Sequence, residues 1–152
     1  MSEQKTPPED APVLFIDRCL GSKIVPEVLR DAGVDIRIHD ELFEQNELDN
    51  NWLPVVGAKG WAVLTEDGHI RTRAPEIKAL IEANTHVFIL RYDRRMSQAD
   101  KAQAILKAIP EIQQIIKRRE APICAGISPA GKVDEIQGWD DLIESYRKRT
   151  KR

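Results

Sequence analysis

Cysteine is scarce in this chain of 152 residues, and the two present, Cys19 and Cys124, lie far apart with no C-x-x-C or Cys/His spacing. That argues against a structural zinc site and a disulfide framework, so each thiol reads as a small core residue. Also missing is any apolar run approaching the roughly 20 residues of a membrane span. The opening MSEQKTPPEDAP is polar and proline-rich, without the apolar core of a signal peptide. Residues 1–12 are therefore expected to form a flexible segment, and the chain is expected in the cytoplasm with no membrane partner. Nor is positive charge in excess. Lys and Arg number 23 against 25 Asp and Glu, a formal net charge of −2, which argues against a protein that simply coats nucleic acid.

What is present is ordinary in amount and uneven in place. A hydrophobic fraction of 41% and a charged fraction of 32% belong to globular chains, and this length suits one domain that buries roughly two thirds of its unfolded surface. From Asp40 to Asp49 the chain carries Asp40, Glu41, Glu44, Glu47 and Asp49 with no Lys or Arg. Basic residues gather elsewhere, at Arg91, Arg94 and Arg95, at Lys117-Arg118-Arg119, and in RKRTKR from Arg147.

Hydrophobic spacing orders the elements. Val13 to Ile16 is a short apolar run suited to a strand buried on both faces, ended by Asp17. Ile24, Val25, Val28 and Leu29 recur at helical spacing, with Ser22 as candidate N-cap and Gly33 just past the end. Val34 to His39 alternates as an edge strand would. A helix carrying Trp52, Leu53, Val55 and Val56 follows; Pro54 places its start close by, capped by Asp49, Asn50 or Asn51. Trp61 to Thr65 reads as a strand closed by the turn Glu66-Asp67-Gly68. Pro75 opens a helix that stops near Asn84, and Val87 to Leu90 is a fourth strand. Ser97 caps a long helix with a kink expected at Pro110. Ile123 to Ile127 and Lys132 to Ile136 read as a hairpin. The alternation predicts a three-layer α/β/α domain over residues 13–137, with a central parallel sheet and a C-terminal β-hairpin, and an amphipathic basic tail over 138–152.

In such sheets ligands bind beyond the carboxyl ends of the strands. Asp17, Asp49 and Asp67 all fall at that edge, so three carboxylates from distant parts of the chain are expected to converge. A cluster of like charges calls for a cation, and oxygen donors without His or Cys suit Mg²⁺ or Mn²⁺, which favours phosphodiester hydrolysis. Asp93, after the fourth strand, is a further candidate metal ligand, with an ion pair to its arginine neighbours the competing reading. Asp40 and Glu41 are held in reserve. Arg18, Lys23, Arg71 and Arg73 flank the site in sequence as candidates to hold a polyanionic backbone. His39 and His69 lie near the same edge, where a histidine is usually just solvated. Each aspartate alone has a bland reading, as a strand end, a helix cap or a turn residue; the conjunction carries the expectation.

The stretch F-I-D-R-x-L-G-x-x-x-V-P-x-x-L-R-x-A-G-V-D from Phe15 to Asp35, then D-x-x-W-L-P-x-V-G at Asp49 to Gly57 and W-x-V-L-T-x-D-x-x-I-R at Trp61 to Arg71, resembles the PIN-like family that includes VapC-type toxin ribonucleases. The resemblance covers about the first two thirds, continuing more loosely through the long helix and hairpin. It implies a PIN-like fold and Mg²⁺- or Mn²⁺-dependent endoribonuclease activity, with RNA, a small antitoxin and a second copy of the chain as candidate partners. Asp17, Asp49 and Asp67 match the family's acidic positions. The departure is at Asn50 and Asn51, where relatives commonly carry a further acid; an amide oxygen can coordinate an ion but brings no charge. That difference motivates one alternative, a catalytically weak module binding RNA or a partner protein. Another, a phosphate-accepting receiver-like domain, needs an acidic pair after the first strand, where Asp17 is followed by Arg18.

Overall fold

A computed structural model describes residues 6–42 and 49–151, with side chains for all of these except 40, 41 and 49–51. Six strands form one sheet: β1 (Val13–Ile16), β2 (Asp35–Ile38), β3 (Ala62–Thr65), β4 (His86–Leu90), β5 (Ile123–Ile127) and β6 (Val133–Gln137). Their order is β2-β1-β3-β4-β5-β6, parallel throughout except for the antiparallel β5–β6 pair. The expected α/β architecture is what the chain adopts, and the first strand of the hairpin also serves as the fifth parallel strand.

Helices cover both faces. On one side lie α1 (Ile24–Asp31) and α5 (Gln98–Arg118); on the other, α3 (Asp49–Ala58), α4 (Ala74–Ala83) and α6 (Trp139–Thr150). A short α2 (His39–Leu42) follows β2. Because side chains alternate along a strand, Leu14, Ile16, Leu64 and Phe88 enter the first core with Leu29 and Ile105, while Phe15, Val63, Val87 and Cys124 enter the second with Trp52 and Leu80. Leu142 of α6 is buried in that second core, so the basic tail is carried on a docked helix.

Several local expectations change in the fold. Lys23, not Ser22, occupies the α1 N-cap, with no side-chain bond there. The helix α3 already includes Asp49, so Pro54 sits in its interior; Pro54 is exposed, away from the core, where water can take the hydrogen bond its ring denies. The long helix α5 continues as one element through Pro110, and Ser97 caps it reciprocally with Asp100. Asn84 ends α4 in the left-handed region, as a C-terminal stop should.

At the start of β4, His86 donates from Nε2 to the Arg119 carbonyl at 2.6 Å, and burial holds its pKa below the ordinary value of 6.5. The unfolded chain therefore takes up a proton near that pH that the folded chain refuses, so stability is full above pH 6.5 and falls as the pH drops below it. Urea midpoints measured from pH 7.5 to 5 should fall more steeply for the parent than for His86→Gln. Equal slopes would remove His86 as the cause.

Candidate active site

The chain steps from β1 to β2 in one direction and from β3 to β5 in the other, so the order reverses between β1 and β3. Crevices at such reversals, outside the carboxyl ends of the strands, are where open α/β sheets bind ligands. Asp17 and Asp67 follow the two strands that flank it.

The ladder itself delivers Asp17. Its backbone N–H donates to the Leu64 carbonyl at 2.9 Å, one step beyond the Ile16–Leu64 pair, which sets it beside Thr65. Asp17 is only 5% exposed, and its Oδ2 accepts from Thr65 Oγ1 at 2.8 Å and from the Cys19 thiol at 3.5 Å. Thr65 Oγ1 in turn accepts from the Asp67 backbone N–H at 3.0 Å, so one buried hydroxyl joins the two acidic segments. The Asp67 side chain then turns back on its own loop. Its Oδ1 accepts from the His69 backbone N–H at 3.0 Å, capping the 3₁₀ turn Gly68–Arg71, and lies 3.1 Å from His69 Nδ1.

Each carboxylate is therefore oriented through one oxygen. Among the described residues neither Asp17 Oδ1 nor Asp67 Oδ2 accepts a hydrogen bond, and Asp17 makes no ion pair. A buried anion without a cation is costly, and an all-oxygen pair of this kind fits a hard divalent ion, which binds through one or two carboxylates with water or phosphate completing its shell. No three His, Cys, Asp or Glu side chains among the described residues stand close enough to hold an ion between them. Asp49 lies in the first turn of α3, and its side chain is outside the described residues, as are those of Asp40 and Glu41.

Cys19 takes part as a donor. Burial first, and then the Asp17 charge, push its pKa up to about 12, so it stays a thiol and is no nucleophile at neutral pH. Glu66 points elsewhere: its Oε2 is 2.8 Å from Lys101 Nζ on α5 in a nearly buried pair, with the ammonium 4.4 Å from the Tyr92 ring centre.

Other candidates are placed as follows. Asp93 engages Arg95, with Oδ1 accepting from Arg95 N at 2.9 Å and Oδ2 from Nη2 at 3.0 Å, and these bonds hold its carboxyl below the ordinary range. The ion pair weighed against a ligand role is thus what forms. Arg18 and Lys23 are exposed after β1, and Arg73 Nη2 is 3.3 Å from His69 Nε2. Arg71 binds Glu135 of β6, through Nη1 to the carbonyl at 2.9 Å and Nη2 to Oε2 at 3.1 Å. His39 is not solvated: it is fully buried, its ring centre 6.0 Å from those of Phe15 and Trp52.

Thr65 and Lys101 were not singled out by sequence reasoning, and Cys19 was read only as a small core residue, whereas it is half-buried and bonded to Asp17. Lys101 carried a readable signal, since it lies four residues before Ile105 on the apolar stripe of α5, where a charge demands a partner. For Thr65 and Cys19 the signal is in the ladder register, which only the sheet supplies.

Residues 12–92, more than half of the chain, match the family model described as a PIN-like domain. The chain belongs to the PIN-like family. The match ends just past β4, so α5, the hairpin and α6 lie beyond it. Over 79 residues this PIN-like chain is 33% identical to the protein named "Putative ribonuclease VapC45" of Mycobacterium tuberculosis, a similarity covering 49% of the chain and 57% of that relative. The chain thus spans less than two thirds of the length of the curated relative it matches. No solved structure matches it significantly. The strand order alone is shared with flavodoxin-like sheets, receivers included; the family match is what sets the receiver reading aside.

Proposed function

We propose that this PIN-like domain is a metal-dependent endoribonuclease, with Asp17, Asp49 and Asp67 as its acidic set. The observation that carries the reading is Asp17: a buried carboxylate with no cationic partner among the described residues, oriented by Thr65 and Cys19 at the reversal point of the sheet. Thr65 and Cys19 fix Asp17 Oδ2 and leave Oδ1 for coordination; the His69 amide does the same for Asp67 through Oδ1. Asp17 and Asp67 would hold a Mg²⁺ or Mn²⁺ ion, which would supply an acidified water and offset charge on the scissile phosphate. Arg18, Lys23 and Arg73, exposed around the same edge, steer the RNA backbone. Asp93 joins the set only by exchanging Arg95. The name of the mycobacterial relative supports RNA as substrate. By its resemblance to VapC-type toxin ribonucleases the chain acts in the cytoplasm as the toxin of a pair, with an antitoxin covering the acidic edge.

A structured RNA incubated with Mn²⁺ should be cleaved, and Asp17→Asn or Asp67→Asn should lower the rate about a hundredfold or more. Variants that cleave as well as the parent would sink the assignment. Calorimetry with Mn²⁺ separates the second reading, a catalytically weak module binding RNA or a partner protein, favoured by the amides at Asn50 and Asn51: clear Mn²⁺ binding abolished by Asp17→Asn counts against it.

A further inference from the structure

Beside the acidic edge stand two arginines that an internal carboxylate already occupies. Arg71 closes the 3₁₀ turn that Asp67 opens, and Arg91 leaves the carboxyl end of β4. Both reach Glu135: Arg71 Nη2 to Oε2 at 3.1 Å, Arg91 Nη1 to Oε1 at 3.2 Å, with Arg91 also paired to Asp134. The two guanidiniums face each other across Gly126, where a Cβ would come within 2.9 Å of Asp134 Oδ1 and 3.1 Å of Arg71 Nη2. Glycine is what leaves room for the charges above β5.

The residue bridging the arginines is itself held in an unfavourable conformation. Glu135 has φ +48, in the left-handed region that side chains other than Gly and Asn seldom adopt, at an irregularity where the β5–β6 register shifts. The bulge sets that backbone conformation, and it carries the Glu135 carboxylate onto the two arginines. Glu135 is 58% and Arg91 41% exposed, so their pair is weak and exchangeable, whereas Arg71 is 13% exposed and stays anchored by the Glu135 backbone carbonyl. Two guanidinium forks converging on one carboxylate present the geometry that also receives a phosphate.

We propose that Arg71 and Arg91 form a phosphate-binding pair for the RNA backbone entering the acidic edge, and that Glu135 masks it as an internal competitor that the backbone displaces. The proposal deepens the ribonuclease reading and rests on it for the identity of the polyanion. With Glu135 in place the cluster of Arg71, Arg91, Asp134 and Glu135 is neutral; once the carboxylate leaves, the cluster is net positive.

The test is the affinity of a short fluorescein-labelled single-stranded RNA, read by anisotropy in EDTA across a salt series. Glu135→Gln should bind about three- to tenfold more tightly at low salt, with the slope of log Kd against log salt steeper by about one. Adding Arg91→Gln should cancel the gain. Glu135→Gly, which accepts a positive φ without strain, should behave as Glu135→Gln does and covers the case in which the glutamine variant misfolds. An unchanged or weaker affinity in folded Glu135→Gly, or a gain that survives Arg91→Gln, overturns the proposal. Because no cleavage is measured, a failure here is separate from a failure of Asp17→Asn to lose activity.

Discussion

Lys101→Met is expected to destabilise the fold by about 3–5 kcal/mol, because it leaves Glu66 nearly buried and without its cation. The Glu66 side chain is only 13% exposed and that of Lys101 10%, so solvent screens the pair little and cannot readily rehydrate the abandoned carboxylate. For a domain of this size the loss corresponds to a fall in melting temperature of about 10 °C. The double variant Glu66→Gln, Lys101→Met should recover much of it, since the same site then holds no net charge. Thermal melts of the two single variants and the double would show this as non-additivity. Additive losses would mean that Lys101 acts through packing against Tyr92 instead. The same pair joins α5 to the segment between Thr65 and Asp67, so loosening it should also lower Mn²⁺ affinity.

Trp52→Ala should cost about 3–5 kcal/mol as well, by a different route: an emptied volume in the second core. Trp52 is fully buried, 5.0 Å from Phe15 ring to ring and edge-on to His39, and it anchors α3 to the sheet. Urea unfolding would measure the loss, and Trp52→Phe should retain most of the stability because it refills much of the space. Asp49 lies three residues earlier on the same helix. If Asp49 serves the acidic set, Trp52→Ala will weaken Mn²⁺ binding even below the temperature at which the domain melts, whereas unchanged Mn²⁺ affinity would take Asp49 out of the set.

Much of the architecture was legible because parallel, doubly covered strands must be continuous apolar runs and their helices must carry apolar stripes. Val13 to Ile16, Ala62 to Thr65 and Val87 to Leu90 announce themselves in this way, as do the caps Ser97 and Asn84. Boundaries governed by tertiary packing were less visible. Pro54 was expected in a first turn, yet α3 runs through it with Trp52, Leu53 and Val56 buried against the core. His39 was expected in water because it stands at a strand end near the sheet edge; it is buried because Phe15 and Trp52, distant in sequence, pack against it.

For the proposed site, position relative to strand ends was enough to place Asp17 and Asp67 at the carboxyl edge of the sheet, since the loops there follow the strands whatever their sequence separation. What the linear order could not contain is the set of partners that decides what each charged group does. Thr65 orients Asp17 only because the β1–β3 register sets them side by side, Arg95 engages Asp93 across a tight turn, and Glu135 covers Arg71 and Arg91 only because β6 returns antiparallel along β5. Strand periodicity along the chain is what sets Asp17 and Asp67 at the edge. Tertiary structure alone decided which of them keep an uncommitted oxygen, because ion pairing and hydrogen bonding depend on distances of about 3 Å that spacing along the chain does not specify.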